Sequence, residues 1–367
     1  MSNGETLDTG FGHFANAKAS HAYRNGVGPS GRPFFQANYG IVTEMGIWLM
    51  PRPEDYNAFF FSADSAQALG EILEILGPLK RQGLLPSAIH IANDLRMLAN
   101  QTRYPFAKAA GRFPLPPELR TELRREFGVG AWTGCGSITG TRQTVRALRD
   151  RLKRDLKSFR PIFLDDRKME LLGRAERFLS WFGAGDRIRQ NLNKVRPIFD
   201  LLKGVPTPLT VGGGNWRVRG EDTPHTTDPL DSHAGLIWVS PVLPMTARAA
   251  DEVSRILEGI YSQHGFDTLL TFTMITDRAL CCVSNIAYDR RDQIETARAK
   301  ACYQKLYATL IQSGYIPYRS GPTGYSLLAD QSSTFWDTAA KIKLALDPES
   351  IFSPGRYIRS SPTRKAA

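Results

Sequence analysis

The order of apolar segments along the chain predicts an α+β fold, in which helices cover one face of a large, mainly antiparallel sheet. Short β-branched or aromatic runs alternate with segments whose apolar residues recur at helical spacing. Two of the runs, 266–274 and 280–288, are joined by a short connection, as in an antiparallel hairpin. No tandem repeat interrupts this order. Strands and helices arranged in this way pack as a sheet with helices on one side.

The elements follow one another with clear changes of period. The predicted strands are 41–43, 47–50, 57–61, 87–92, 130–140, 159–164, a segment within 235–244, 266–274 and 280–288. The predicted helices are centred on 69–76, 117–127, 141–157, 167–182, 186–202, 253–260 and 291–313, and one more follows the loop at 314–322. Pro51 and Pro53 end the first apolar segment and mark a candidate domain boundary.

Composition indicates a soluble globular protein. A chain of 367 residues has room for two domains. No run approaches the ~18 apolar residues of a membrane span. The polar, Gly-rich first thirty residues lack the apolar core of a secretory signal, so we expect a cytoplasmic protein.

The net charge of +11 favours an anionic partner. Much of the excess lies between Arg142 and Arg196. No helix-turn-helix, zinc-finger or aromatic RNA-binding signature accompanies it, so helices with solvated basic faces are favoured over a nucleic-acid site. Attraction of an anionic substrate is a further reading of the same charge.

Cysteine and histidine spacing predicts neither a disulfide framework nor a metal site. The four cysteines are expected to be buried, reduced thiols: Cys135, Cys281, Cys282 and Cys302. The histidines do not cluster. His225 and His233 share a loop with acidic residues, where solvated side chains are favoured over metal ligands.

Tyr318 and Arg319 are the strongest candidates for chemistry. A phenol hydroxyl beside a guanidinium can donate short, charge-assisted hydrogen bonds to an oxyanion. Glycines and prolines on both sides would present the pair on a stiff turn. By itself such a pair is more often a structural turn with a surface arginine.

Four segments resemble the vanillyl-alcohol oxidase and 4-cresol dehydrogenase (p-cresol methylhydroxylase) family of FAD-linked oxidases. They are NYGIVTEMGIWLMP near the start, GLIWVSPVLP in the middle, GYIPYRSG, and LDPESIFSPGR near the end. The order and spacing are similar to those of family members over nearly the whole chain. The basic stretch at about 141–200 matches only loosely.

The resemblance implies a flavin-binding domain that is split by an inserted cap domain. Residues 1–55 would end the first flavin-domain segment, 56–310 would form the cap that shapes the substrate pocket, and 311–367 would return to the flavin domain. The family's N-terminal segment with the FAD pyrophosphate loop has no counterpart here, nor has the acidic residue proposed to take the substrate proton. We therefore expect that this chain holds only part of the flavin site.

The resemblance also implies roles for individual residues. Tyr318 and Arg319 match the family's Tyr-Arg pair, which binds a phenolate oxygen near the flavin. The residues matched to the cofactor-lining backbone are Asn38, Tyr39, Gly40, Ile41 and Val42, with Arg356 in the closing turn. Cys282 lies about where some members carry a histidine that tethers the flavin, although non-covalent FAD is favoured.

The expected activity is oxidation of a 4-substituted phenol by hydride transfer to FAD. A 2-hydroxy acid, gripped through its carboxylate by Arg319, is the alternative substrate class. A truncated, non-catalytic cap fragment is the alternative to an enzyme. The family further implies a separate flavin segment or a cytochrome electron acceptor as partner, and a homodimer.

Overall fold

The structure is a computed structural model that describes residues 1–23, 26, 31, 34–181, 186–220, 231–329 and 334–357. His225 lies outside the described residues. The described chain divides into two compact units. One contains residues 52–318, and the other joins residues 1–51 to the segment that begins at Arg319. Assigning these units to a cap and a flavin domain stays a prediction.

The larger unit is built on one sheet of eight strands in the described residues. The strands are β1 (Asp55–Ala63), β2 (Ile89–Asn93), β3 (Trp132–Gly140), β4 (Ile162–Leu164), β5 (Ala234–Val239), β6 (Val242–Pro244), β7 (Leu269–Met274) and β8 (Ala279–Asp289). Their order is β4-β1-β3-β2-β7-β8-β5, with β6 also pairing with β8. Neighbouring strands are antiparallel at each of these pairings. The predicted α+β class is confirmed.

Helices of three to five turns accompany the sheet, with shorter ones between them. They are α1 (Ala68–Arg81), α2 (Asp94–Ala99), α3 (Phe106–Ala109), α4 (Pro117–Phe127), α5 (Arg142–Asp155), α6 (Asp166–Trp181), α7 (Asp186–Leu201), α8 (Ala247–Gln263), α9 (Gln293–Gln312), α10 (Pro322–Ala329) and α11 (Thr334–Leu346). The short helices α2, α3 and α10 were not predicted, because less than three turns leaves little periodic signal.

One face of the sheet is buried beneath helices. Phe59 and Phe61 pair with Gly136 and Gly134, and a Cβ on Gly134 would lie only 2.0 Å from the Phe61 ring. Glycine is therefore required there to admit the aromatic rings. The hydroxyl of Tyr261 on α8 donates to Ser284 Oγ (3.1 Å) on the same face, which places α8 over it.

The opposite face is covered at its two ends. At one end α6 and α7 pack against Ala58 on β1, and at the other α2 and a 3-10 turn at Leu209–Asn215 build a further core against Leu269 and Ala287. Between these ends, the side chains are partly exposed and include Thr133, His90 and Thr273. We call this uncovered part the open face. Helices thus cover one face completely and the other in part.

The strands predicted at 41–43 and 47–50 are wrong. This segment has no regular secondary structure and joins no sheet of the described residues. Its apolar side chains are exposed, with Ile47 at 71% and Leu49 at 80%. The β-branched and apolar composition predicts an extended backbone, but a strand also needs a neighbouring strand to pair its amides and carbonyls.

Candidate functional site

Tyr318 is positioned by the connection between β5 and β6. Its backbone N–H donates to Ser240 O (3.2 Å), and Pro317 forms a β-bridge with Pro241. Val242 N–H donates in turn to Ile316 O (3.0 Å). The segment after α9 is therefore held along the edge of the sheet, and the Tyr318 side chain is 42% exposed.

Arg319 follows directly and is also exposed. Consecutive phenol and guanidinium groups supply one O–H and several N–H donors, which suits an oxyanion. Their role stays a prediction. The structure adds that the backbone of Tyr318 is fixed by hydrogen bonds to the sheet edge.

Asn38 is held by the C-terminal turn of its own unit. Its Nδ2 donates to Ser353 O (3.1 Å), and its carbonyl oxygen accepts from Lys343 Nζ (2.6 Å). Lys343 on α11 is 3% exposed, pairs with Asp347 and also donates to Phe352 O (2.9 Å). Two of the four segments that carry the family resemblance are thus joined through one buried lysine.

Asp347 closes the same turn. Its carboxylate accepts from the backbone N–H groups of Ile351 and Phe352, both at 3.0 Å. Burial raises the pKa of this carboxyl, but the Lys343 hydrogen bond and the two amides outweigh it, so the pKa is lowered. A carboxyl group with a lowered pKa stabilises the fold at pH values above its unfolded pKa of about 3.9. This stabilisation is lost as the pH falls from there through the lowered pKa of the folded state.

We expect that Lys343→Met loosens this turn. The change leaves the Asp347 carboxylate buried without its cation, at a cost of about 3–5 kcal/mol. Amide hydrogen exchange at Ile351 and Phe352 should then accelerate. Lys341→Met, at an exposed position of the same helix, is the matched control. Equal exchange rates in the two variants would contradict the role of Lys343.

The remaining predicted cofactor residues differ in exposure. Tyr39 is 7% exposed, its hydroxyl lies 3.4 Å from Ala339 O, and burial raises its pKa. Ile41 and Val42 are exposed at 70% and 52%, and Gly40 is half-buried between these environments. The polar end of the segment is thus packed into its unit, whereas the apolar end is presented outward.

Arg356 lies in the closing turn on the surface of its unit. Its guanidinium carbon is 5.1 Å from the ring centre of Tyr357, which packs edge-on against Tyr325. The arginine is therefore oriented by an aromatic ring.

Cys282 lies in the interior of the sheet. It pairs with Phe272 on β7, faces the helix-covered side and is fully buried. Burial raises the pKa of its thiol, with a smaller contribution from Cys281. Since the thiolate is the nucleophilic form, these surroundings disfavour the covalent link considered above. The tether stays a prediction.

A row of polar side chains on the open face was not predicted. The register sets Cys135, His90 and Thr273 side by side on three adjacent strands. His90 Nδ1 lies 3.1 Å from Thr273 Oγ1, and burial lowers the His90 pKa, which favours a neutral ring at pH 7. The sequence signal was the alternation of polar residues within each strand, but only the register shows that the strands are neighbours.

Two absences apply to the described residues. No group of three or more His, Cys, Asp or Glu side chains there could hold a metal ion. In the same residues, no helix is both long and apolar enough to cross a membrane.

Comparison with curated proteins gives the family. The chain is 33% identical over 366 residues to 1'-carboxy-chondrochloren decarboxylase of Chondromyces crocatus, covering 97% of this chain and 66% of that protein. It is 26% identical over 360 residues to the flavoprotein subunit of 4-cresol dehydrogenase (hydroxylating) of Pseudomonas putida, covering 97% and 62%. Its homologues include flavoproteins of the vanillyl-alcohol oxidase and p-cresol methylhydroxylase family. It spans less than two thirds of the length of these relatives. No family model matches it.

Solved structures of the family share the fold. A structure of p-cresol methylhydroxylase with substrate bound matches with a TM-score of 0.78 at 24% identity, over 98% of this chain and 63% of that one. A 4-ethylphenol oxidase of Gulosibacter chungangensis, in complex with isoeugenol, matches with a TM-score of 0.80 at 24% identity, over 98% and 64%. The family resemblance and the fold expected from the sequence are both confirmed.

Proposed function

We propose that this chain is the substrate-binding part of an FAD-dependent oxidoreductase that oxidises 4-substituted phenols. The observation that carries the proposal is the Tyr318-Arg319 pair, in which the backbone of Tyr318 is fixed to the sheet edge at Ser240. The family resemblance and the names of the relatives, which include a cresol dehydrogenase and an ethylphenol oxidase, support the substrate class.

Residues of the smaller unit fit a flavin. Asn38 Oδ1 is buried and has no hydrogen-bond donor, so it suits a ligand that presents an N–H. The exposed side chains of Ile41 and Val42 suit a planar, largely apolar ring. Asn38, Tyr39 and Gly40 would hold the cofactor by polar contacts. When bound, FAD supplies a two-electron acceptor for a hydride.

The chain's own residues bind the phenol as its anion. The Arg319 guanidinium provides positive charge, and the Tyr318 hydroxyl provides a directed hydrogen bond. Together they favour phenolate over phenol and orient the ring. A phenolate is more electron-rich at the para substituent, so stabilising it favours loss of a hydride there.

A second candidate is oxidative decarboxylation of a carboxylated substrate. It is favoured by the 33% identity to a protein named as a decarboxylase. A 2-hydroxy acid held by Arg319 belongs to the same group of anionic substrates. A separate flavin segment, a cytochrome electron acceptor and a homodimer are the partners that we propose.

The test begins with flavin binding and reduction. The chain is titrated with FAD, alone and together with a family flavin segment, and bound flavin is measured by its absorbance. 4-Ethylphenol, 4-hydroxyphenylacetate and lactate are then added without oxygen. We expect 4-ethylphenol to bleach the flavin. Bleaching by lactate alone would overturn the phenol assignment, and a protein that takes up no flavin in either form would identify a non-catalytic fragment.

A further inference from the structure

Arg96 is a buried cation at the end of the sheet that α2 covers, next to the open face. It lies on α2 and is 9% exposed. Its Nη2 donates to Leu269 O (3.3 Å) and to Asn285 Oδ1. The backbone N–H of Arg96 donates to Asn93 Oδ1 (3.0 Å), which caps α2 and fixes where the side chain starts. The guanidinium is therefore held in place by a pair of facing residues on the adjacent strands β7 and β8.

In the described residues, this cation is paired with no carboxylate. Both acceptors of its Nη2 are neutral, and its Nε is buried without a partner. Asn285 Nδ2, on the same side chain that accepts from Arg96, is also buried without an acceptor. Burial lowers the Arg96 pKa to about 10, so the group is still charged at neutral pH.

Arg217, a second buried arginine of the same unit, differs from Arg96 because it has counter-ions. Its guanidinium lies between the carboxylates of Asp267 and Glu295. A buried charge without such a counter-ion is costly, because it loses its hydration and gains no attraction in return. Unpaired donors around Arg96 thus mark a position where an anion would be stabilised.

Arg96 lies beside an exposed aromatic ring, whose strand leads on towards Tyr318. The Arg96 guanidinium carbon lies 5.8 Å from the ring centre of Trp238, which is 52% exposed. Trp238 pairs with Asn285 in the sheet. Ser240, whose carbonyl holds the Tyr318 backbone, is two residues further along, about 7 Å in an extended chain.

A glycine faces the same guanidinium. A Cβ on Gly213 would lie 3.8 Å from Arg96 Nη1 and 2.6 Å from Asn100 Oδ1. The turn therefore brings no side chain against Arg96 at this position.

We propose that Arg96, Asn285 and Trp238 form a subsite for a carboxylate carried by the substrate. The carboxylate accepts from Arg96 Nε and Asn285 Nδ2, and the adjoining apolar part of the substrate packs on the Trp238 ring. This inference rests on the proposed function and narrows its substrate class to phenols that carry a carboxylate.

Binding without flavin tests the subsite separately from turnover. Calorimetric titration at low salt compares 4-hydroxyphenylacetate, 4-ethylphenol and acetate. We expect 4-hydroxyphenylacetate to bind at least about tenfold more tightly than 4-ethylphenol. Arg96→Gln should remove that difference. Trp238 is 52% exposed, so Trp238→Leu should weaken the binding of 4-hydroxyphenylacetate without altering the far-UV circular dichroism. Arg278→Gln is the control, because Arg278 is an exposed arginine in the β7–β8 turn.

Each outcome decides the proposal. Equal affinities for 4-hydroxyphenylacetate and 4-ethylphenol would overturn it. A third result would be that acetate binding depends on Arg96 as strongly as 4-hydroxyphenylacetate binding does, and that Trp238 contributes to neither. This result would indicate an adventitious ion only and would also overturn the proposal. Arg96-dependent binding of 4-hydroxyphenylacetate without flavin reduction would support the subsite while removing the proposed oxidation.

Discussion

Replacing Arg319 by alanine is expected to lower turnover of a 4-alkylphenol at least about 100-fold, since one charge-assisted donor to a developing oxyanion is worth that much. The flavin content of the assembled protein should not change. The physical reason is that the phenol would have to bind in its neutral form, which gives up a hydride less readily. Stopped-flow measurement of flavin reduction gives the rate directly.

A second readout separates phenolate binding from other effects of the change. 4-Nitrophenol changes colour on ionisation, so the pH at which the bound dye ionises can be followed by absorbance. In the parent protein we expect the bound dye to ionise at a lower pH than the free dye. In Arg319→Ala that shift should be lost, and in Arg278→Ala it should be kept. An unchanged shift in Arg319→Ala would remove Arg319 from the proposed mechanism.

Replacing Arg217 by methionine is expected to destabilise the larger unit by about 3–5 kcal/mol, the usual cost of removing one partner of a buried ion pair. Arg217 is 1% exposed, its Nε lies 3.1 Å from Glu295 Oε1, and its guanidinium carbon is 4.0 Å from the Phe113 ring centre. Methionine keeps the packing volume but leaves the Asp267 carboxylate buried without its cation, while Glu295 keeps only the longer contact to Arg298 (3.6 Å).

The network around Arg217 explains the size of this effect. Asp267 also accepts from Trp216 Nε1 (2.9 Å) and from Leu115 N–H (2.7 Å), and Glu295 accepts from Asp289 N–H (3.2 Å). Loss of the cation therefore disturbs contacts between a loop, α9 and the sheet at the same time.

Urea unfolding followed by tryptophan fluorescence and circular dichroism measures the change. Coincident transitions show that the free energy of unfolding is well defined. Arg255→Met breaks the exposed pair with Asp251 on α8 and should cost no more than about 0.5 kcal/mol. If both variants show an equally small loss of unfolding free energy, the buried pair is not important for stability.

Local periodicity was sufficient for most of the fold. The hairpin of β7 and β8 and the apolar faces of α1 and α8 follow from spacings within a dozen residues, and these predictions are confirmed. Pairing could not be predicted in the same way. The predicted strand at 47–50 has the right composition, yet no neighbouring strand of the described residues pairs with it, because pairing depends on distant segments.

The candidate site shows the same division. Tyr318 and Arg319 are adjacent in the chain, so a motif and a family resemblance were enough to select them. His90 and Thr273 are 183 residues apart, and only the sheet register places their side chains 3.1 Å from each other. No local pattern carries that information.

The sequence by itself determined most element types, the family resemblance and the Tyr-Arg candidate, because each depends on residues close together in the chain. Only the tertiary structure decided that Arg217 has two carboxylates and Arg96 has neutral acceptors. It also decided that Cys282 points into the core and that His90 lies on the open face. Whether a charge is paired, and whether a side chain is buried, depends on contacts between segments that are far apart in sequence.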